Sequence, residues 1–199
     1  FALTSGLSII HSYQEDLGFR VSESRNKAIS ISKGEYIVLI DGDMVLHPEF
    51  INDHSLCAEE GFYLQGSRVL LNRKKTREVL SAQRFFFHVL GNGSKNRLNA
   101  IHSNFLSKIF SIRKSVLNGV RSCNMSFYRK DCININGFNS EFIGWGREDS
   151  DFVARLFNNG IGRKTLKFSA IQFHLWHDES NRKTLLANDK LLQKTIDEN

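Results

Sequence analysis

Five consecutive apolar residues, Tyr36-Ile37-Val38-Leu39-Ile40, stand between Gly34 and the acidic turn Asp41-Gly42-Asp43, and no other feature of the sequence narrows its fold as much. The run is too short for a buried helix and rich in β-branched types. Without polar alternation it reads as a strand covered on both faces, as in a parallel sheet. Upstream, Ser22-Glu23-Ser24-Arg25 opens a helix with Ser22 or Ser24 as N-cap, Lys33-Gly34 closes it, and Leu7 to His11 predicts a short strand. Strand, helix and buried strand in succession predict the α/β class.

The rest of the chain continues in that style. Pro48 starts a helix running to about Glu60, and Phe62 to Leu71 predicts a strand. Helices are expected over Arg73 to Leu90 and Leu98 to Ile112, separated by a turn at Gly91-Asn92-Gly93-Ser94. The second of these carries Ile101, Phe105, Leu106, Ile109 and Phe110 on one side. Strands follow at Cys123 to Arg129 and Lys167 to His174, and helices at Asp149 to Phe157, stopped by Asn159-Gly160, and Lys183 to Ile196.

At 199 residues with 41% apolar content, the chain suffices for a sizeable core in one domain, and neither repeats nor a Pro/Gly/Ser linker divide residues 1–199. A disordered tail, a collagen-like repeat and a disulfide-stapled miniprotein are excluded. No apolar run approaches the ~20 residues of a membrane span, and no signal-peptide pattern opens the sequence. Cys57, Cys123 and Cys132 are odd in number and lack metal-ligand spacing, which points to a reducing compartment and a cytoplasmic location.

The formal net charge of +6 conceals two opposed parts. Residues 61–130 hold fourteen Lys/Arg against one acid, Glu78, whereas the remainder holds thirteen against twenty. A basic block of that size suits an anionic partner or a solvated face. Helix-turn-helix, zinc and ribonucleoprotein signatures are all missing from it, so nucleic acid is not expected.

Three constellations carry chemistry. Asp41-Gly42-Asp43 follows a strand, where ligands of open α/β sheets bind, and its two carboxylates suit Mg²⁺ or Mn²⁺ with a diphosphate; an Asp-Gly pair also simply punctuates loops. Gly144-Trp145-Gly146-Arg147-Glu148-Asp149-Ser150-Asp151 offers an aromatic platform for a sugar ring, then adjacent acids at a helix start. Such acids serve as general base or as helix caps. His174-Leu175-Trp176-His177 places two imidazoles three apart after a strand, a spacing for metal ligation or for packing.

Taken together these stretches resemble a family-2 glycosyltransferase of the nucleotide-sugar-binding α/β type called GT-A. Gly18-Phe19-Arg20 with Ser24-Arg25-Asn26-Lys27-Ala28 resembles the helix whose arginine faces the nucleotide, and Gly34 to Asp43 the strand and metal motif. Cys123-Asn124-Met125-Ser126-Phe127, Asn136-Gly137-Phe138 and Gly144 to Asp151 resemble the acceptor-side segment of β-1,4-galactosyltransferases and chondroitin-polymerase-like enzymes. His174 to His177 resembles the C-terminal metal-ligand motif. The family also opens with a nucleotide-binding strand and an Asp-Asp-x-Ser segment. Nothing before Gly18 matches these, so the expected fold is a GT-A domain with a mostly parallel central sheet flanked by helices, N-terminally truncated.

The resemblance implies inverting transfer of a sugar from a nucleotide diphosphate, UDP by family frequency, to a hydroxyl of a glycan or glycolipid in bacterial surface polysaccharide synthesis. It implies Asp149 as general base and Glu148 as its partner; Arg25, Asp41 and Asp43 on the donor; Trp145, Gly146 and Asn124 on the acceptor or sugar; and a divalent metal, Mn²⁺ or Mg²⁺, on Asp43 with His177 or His174. The basic segment 61–130 would then meet an anionic acceptor or, peripherally, the anionic inner face of the cell membrane. An inactive sugar- or polyanion-binding module of the same fold is the alternative. A retaining polypeptide-directed enzyme would carry Asp-x-His where this chain has Asp41-Gly42-Asp43.

Overall fold

The computed structural model describes residues 8–82, 92–178 and 182–198. Helix α1 (Val21–Ile31) leads into strand β1 (Tyr36–Ile40), the acidic turn and β2 (Met44–Leu46). There follow α2 (Phe50–Cys57), β3 (Phe62–Gln65), β4 (Ser67–Leu71) and α3 (Arg73–Ala82). The basic segment continues through β5 (Ser94–Lys95), a 3-10 turn (Arg97–Ala100), α4 (Asn104–Phe110) and β6 (Ile112–Lys114). Last come β7 (Asn124–Tyr128), α5 (Arg129–Asn134), α6 (Glu148–Asn158), β8 (Gly162–Thr165), β9 (Ile171–His174) and α7 (Leu185–Asp197).

The strands form two sheets, one of order β1-β7-β3-β8-β6 and one of order β2-β9-β4-β5. The α/β class is as expected, but the parallel character is not. Among the described residues only β3 with β8 and β4 with β9 run parallel, while β1 and β3 both lie antiparallel to β7. Among the described residues β1 pairs only with β7 and lies at the edge of its sheet, and it is apolar throughout for a different reason. Ile37 and Leu39 pack on the core cluster of Met125, Phe127 and Phe152, while Tyr36, on the opposite face, joins Leu64, Leu166 and Ala170. Two cores, one on each face, remove the alternation that an edge strand otherwise shows.

Other expectations shift for local reasons. Residues 8–11 form no strand; Leu7 lies outside the described residues, as do 83–90 of the helix expected to reach Leu90 and Gly91 of the turn after it. Neither serine caps α1, whose N-cap is Arg20, because Ser22 is buried one residue inside the helix. The helix after Pro48 starts at Phe50 and ends at Cys57. The expected strand from Phe62 to Leu71 breaks at Gly66, where a Cβ would collide with the Asn124 side chain, and the chain crosses there from one sheet to the other. The helix expected from Leu98 to Ile112 is split by an extended Ser103, whose side chain accepts from the Leu106 N–H and restarts the helix as α4.

Candidate functional site

The acidic turn is placed by strand pairing. Met44 of β2 lies opposite His174, the last residue of β9, and the Leu175 N–H donates to the Asp43 carbonyl at 3.0 Å. That register holds the Asp43 carboxylate against both imidazoles, with Oδ2 3.1 Å from His174 Nε2 and 3.0 Å from His177 Nε2. One ligand atom from each of the three lies within 4.8 Å of the others.

The protonation pattern of this triad suits a cation. The His177 Nδ1 lies 2.7 Å from the Asp178 carbonyl, an acceptor only, so Nδ1 carries the proton and in the neutral ring Nε2 turns a lone pair toward Asp43. A cation between Nε2 and the carboxylate, whether a proton or a metal ion, makes that approach favourable. Burial pushes His174 below its ordinary range, with Arg68 and His177 adding to it against the pull of Asp43, which keeps it a neutral ligand. The buried Asp43 Oδ1 has no hydrogen-bond partner. One carboxylate and two imidazoles thus form a donor set for a divalent metal such as Mn²⁺.

The second half of the site is the N-terminus of α6. Gly144, Gly146 and Arg147 all have left-handed backbone, with φ of 78°, 104° and 78°, so the chain turns abruptly into the helix. Helix α7 braces that turn: Asn188 Nδ2 donates to the Gly146 carbonyl at 2.8 Å, Arg147 pairs with Asp189 at 2.5 Å, and Thr184 packs where a Cβ on Gly144 would lie. Trp145 keeps 37% of its surface exposed, with the Arg182 guanidinium 5.1 Å from its ring centre.

Behind this platform lie Glu148 and Asp149. Burial raises the Glu148 carboxyl, the neighbouring Asp149 raises it further, and Arg25 opposes both. Burial likewise raises Asp149, against the Ser150 N–H that donates to it at 2.7 Å and the charge of Arg25. Asp151 is elsewhere: fully buried, it accepts from Arg155 at 2.7 Å and from Thr195 at 2.7 Å, a bracing role.

Arg25 joins the two halves. Its Nη2 lies 3.2 Å from Asp41 and its Nη1 3.5 Å from Glu148, so the metal turn and the acidic helix share one guanidinium. Asn26 fixes the base of this bridge by pairing with the backbone of Phe138 through both amide atoms, at 2.7 and 2.8 Å. Arg25 thus links Asp41 to Glu148, both His174 and His177 reach Asp43, and Trp145, Gly146 and Asp149 flank Glu148 along the chain.

Asn124 does not join them. Its side chain is 1% exposed, donates to the Ser67 and Ala170 carbonyls at 2.9 and 2.7 Å, and meets His54 Nε2 at 3.0 Å. With every polar atom committed, it cannot reach a sugar; it is the joint between the two sheets at Gly66. Sequence reasoning also missed Arg68 and Arg121. Arg68 shares a face of its sheet with His174 through the β4–β9 register and reaches the Cys123 sulfur at 3.8 Å. Arg121 is seated by Gln65, which bonds both its N–H and its carbonyl. Neither pairs with a carboxylate among the described residues. The only signal for Arg68 is a single charge inside an otherwise uncharged strand.

Comparison with known proteins identifies the family and the fold. The pattern of glycosyl transferase family 2 matches residues 6–131, and that described as the N-terminal domain of galactosyltransferase matches residues 110–178. Chondroitin synthase of Escherichia coli is 22% identical over 183 residues, covering 84% of this chain and 26% of that protein. Hyaluronan synthase of Pasteurella multocida is 26% identical over 175 residues, covering 80% and 18%. The chain thus spans about a quarter of one relative and less than a fifth of the other. The crystal structure of GalNAc-T7 with UDP, GalNAc and Mn²⁺ superposes with a TM-score of 0.59 at 10% identity, covering 87% of this chain and 34% of that one. The shared architecture is the GT-A fold.

Proposed function

The chain belongs to glycosyl transferase family 2, and from that membership we propose that it transfers a sugar from a UDP-sugar to a hydroxyl of a growing polysaccharide or glycolipid, with inversion at the anomeric carbon. The observation that carries the reading is the triad of Asp43, His174 and His177 joined through Asp41 and Arg25 to the acids at the start of α6. The chondroitin and hyaluronan synthases among the relatives support a polysaccharide acceptor, and the UDP and Mn²⁺ bound to GalNAc-T7, which shares the fold, are in keeping with that donor and metal.

Asp43, His174 and His177 would hold the metal, which when bound supplies positive charge to offset that developing on the departing diphosphate. Asp149 removes the proton of the attacking acceptor hydroxyl as its oxygen bonds to the anomeric carbon and the bond to the diphosphate breaks. Its raised proton affinity makes it a stronger base than an exposed carboxylate. Glu148, tied to Arg25, orients the acceptor hydroxyls, and Trp145 offers its exposed ring to a sugar face.

Melting of the protein with UDP, with Mn²⁺ and with both tests the reading. Stabilisation by the pair that exceeds the sum of the separate shifts is expected. No shift under any combination would overturn it, and a shift with UDP-sugar but no turnover on any acceptor would instead favour the binding module.

A further inference from the structure

Helix α4 is turned the opposite way from an ordinary surface helix. Its polar stripe faces the protein: Ser103 caps the helix, Ser107 is 5% exposed and bonds Ser169 at 2.7 Å, and Ser111 lies 3.4 Å from Ser107. These serines recur every four residues, one helix face. Phe105 and Ile109, on the opposite face, and Phe110, beside the serine stripe, point outward, 72%, 58% and 51% exposed. Phe110 lies edge-on to Phe168, with ring centres 5.7 Å apart. A core helix with a charged outer face, the ordinary arrangement, would have these residues exchanged.

The charges around the patch have one sign. Asn92 to Lys130 contains no Asp or Glu. Lys108 lies on the helix, Lys114 on the strand that follows, and the Lys167 N–H lies 3.4 Å from Ser111. None of the three pairs with a carboxylate among the described residues. The nearby acid is Glu59, and it is already shared by Arg113 and Lys164 at 2.8 Å each.

We propose that the outward face of α4, with Lys108, Lys114 and Lys167 around it, docks the protein on the surface of an anionic lipid bilayer. Phenylalanine and isoleucine suit the boundary between headgroups and acyl chains, and lysines at the same level meet anionic headgroups. A second copy of this chain fits worse, since pairing the patch with itself sets lysine against lysine without an acid to neutralise them. The proposal is independent of the transfer chemistry, and no described helix is long and apolar enough to cross a membrane.

Sedimentation of the full chain with vesicles of phosphatidylcholine alone and of phosphatidylcholine with phosphatidylglycerol tests this. Binding roughly tenfold stronger to the anionic vesicles, weakened by salt, is expected. Phe105→Ser with Ile109→Ser should abolish it, and Lys108→Glu should weaken it several-fold. Each variant should keep the UDP and Mn²⁺ melting response of the parent, because Phe105, Lys108 and Ile109 are exposed and are not candidate site residues. If the double variant melts early, Lys108→Glu carries the test alone. Equal pelleting with both vesicle types, pelleting with neither, or binding untouched by Lys108→Glu overturns the proposal. So does self-association, seen by sedimentation velocity without lipid and lost in the double variant, if no vesicle binding accompanies it.

Discussion

Arg25 reaches Glu148, a carboxylate 123 positions later in the chain, with 3.5 Å between Nη1 and Oε1. The contact spans the two halves of the candidate site, and Arg25 lowers the proton affinity of both Glu148 and Asp149 there. Replacing it by methionine removes that opposition, so both carboxyls rise further under burial. The acid limb of the pH–rate profile for kcat/KM should then move to higher pH, with activity at neutral pH falling, while Arg25→Lys keeps part of the charge and moves it less. A limb in the same place in both variants would show that the guanidinium does not tune these acids.

Asp149→Asn should lower kcat by about 10²–10⁴-fold, the usual contribution of a positioned base, and leave metal-dependent UDP binding intact. The same change should raise the melting temperature at neutral pH. The folded-state proton affinity of Asp149 is raised, so its ionised form opposes folding. Any stability it contributes is complete below the unfolded carboxyl value, about pH 3.9, and is lost as pH rises through the higher folded value. The stability advantage of asparagine should therefore shrink as the pH is lowered toward 4. Turnover that persists in Asp149→Asn would remove this residue as the base.

Metal affinity separates the roles of the two histidines. Each reaches Asp43 Oδ2 at 3.0–3.1 Å, so His174→Ala and His177→Ala should each weaken Mn²⁺ binding by roughly tenfold or more, and Asp43→Ala should abolish it. Chelation by EDTA should remove the melting shift with UDP from the parent and leave the Asp43→Ala protein unchanged. A His177→Ala variant with parental Mn²⁺ affinity would restrict the ligand set to Asp43 and His174.

Those residues were legible because each sits at the end of an element that sequence pattern reveals. The run Tyr36 to Ile40 marks the strand before Asp41, the glycines around Trp145 mark the helix start, and a strand ends at His174. What stayed hidden depends on tertiary pairing. The antiparallel partner of β1, the break at Gly66 and the burial of Asn124 are set by residues about 60 to 90 positions apart, for which no local period exists. The inward serine face of α4 stayed hidden for another reason: its apolar stripe has helical spacing, and spacing does not say which way a face points.

Asn124 supplies a test of that distinction. It was expected on the acceptor and instead ties β7 to the carbonyls of Ser67 and Ala170. Asn124→Ala orphans two buried carbonyls and the Nε2 of His54, at about 1–3 kcal/mol for each group left unsatisfied. Urea denaturation should show this loss directly. The acceptor KM of protein that remains folded should be unchanged, and a raised KM at parental stability would return Asn124 to the sugar site.

His54 makes the same joint sensitive to acid. It is buried without exposure, with Nδ1 2.8 Å from Ser126 Oγ and Nε2 3.0 Å from Asn124 Oδ1, and burial pushes its imidazole down to about 4. In the unfolded chain it titrates near 6.5. Above that value the ring is neutral in both states and its contribution is complete. As the pH falls from about 6.5 toward 4 the unfolded chain takes up a proton that the folded one refuses, and stability declines, by on the order of 3 kcal/mol once both are protonated. His54→Gln cannot titrate, so it should start less stable at pH 7 and show a flatter dependence between pH 6.5 and 4. Urea midpoints for both proteins across that interval measure the difference, and parallel curves would show that the acid sensitivity resides in other groups.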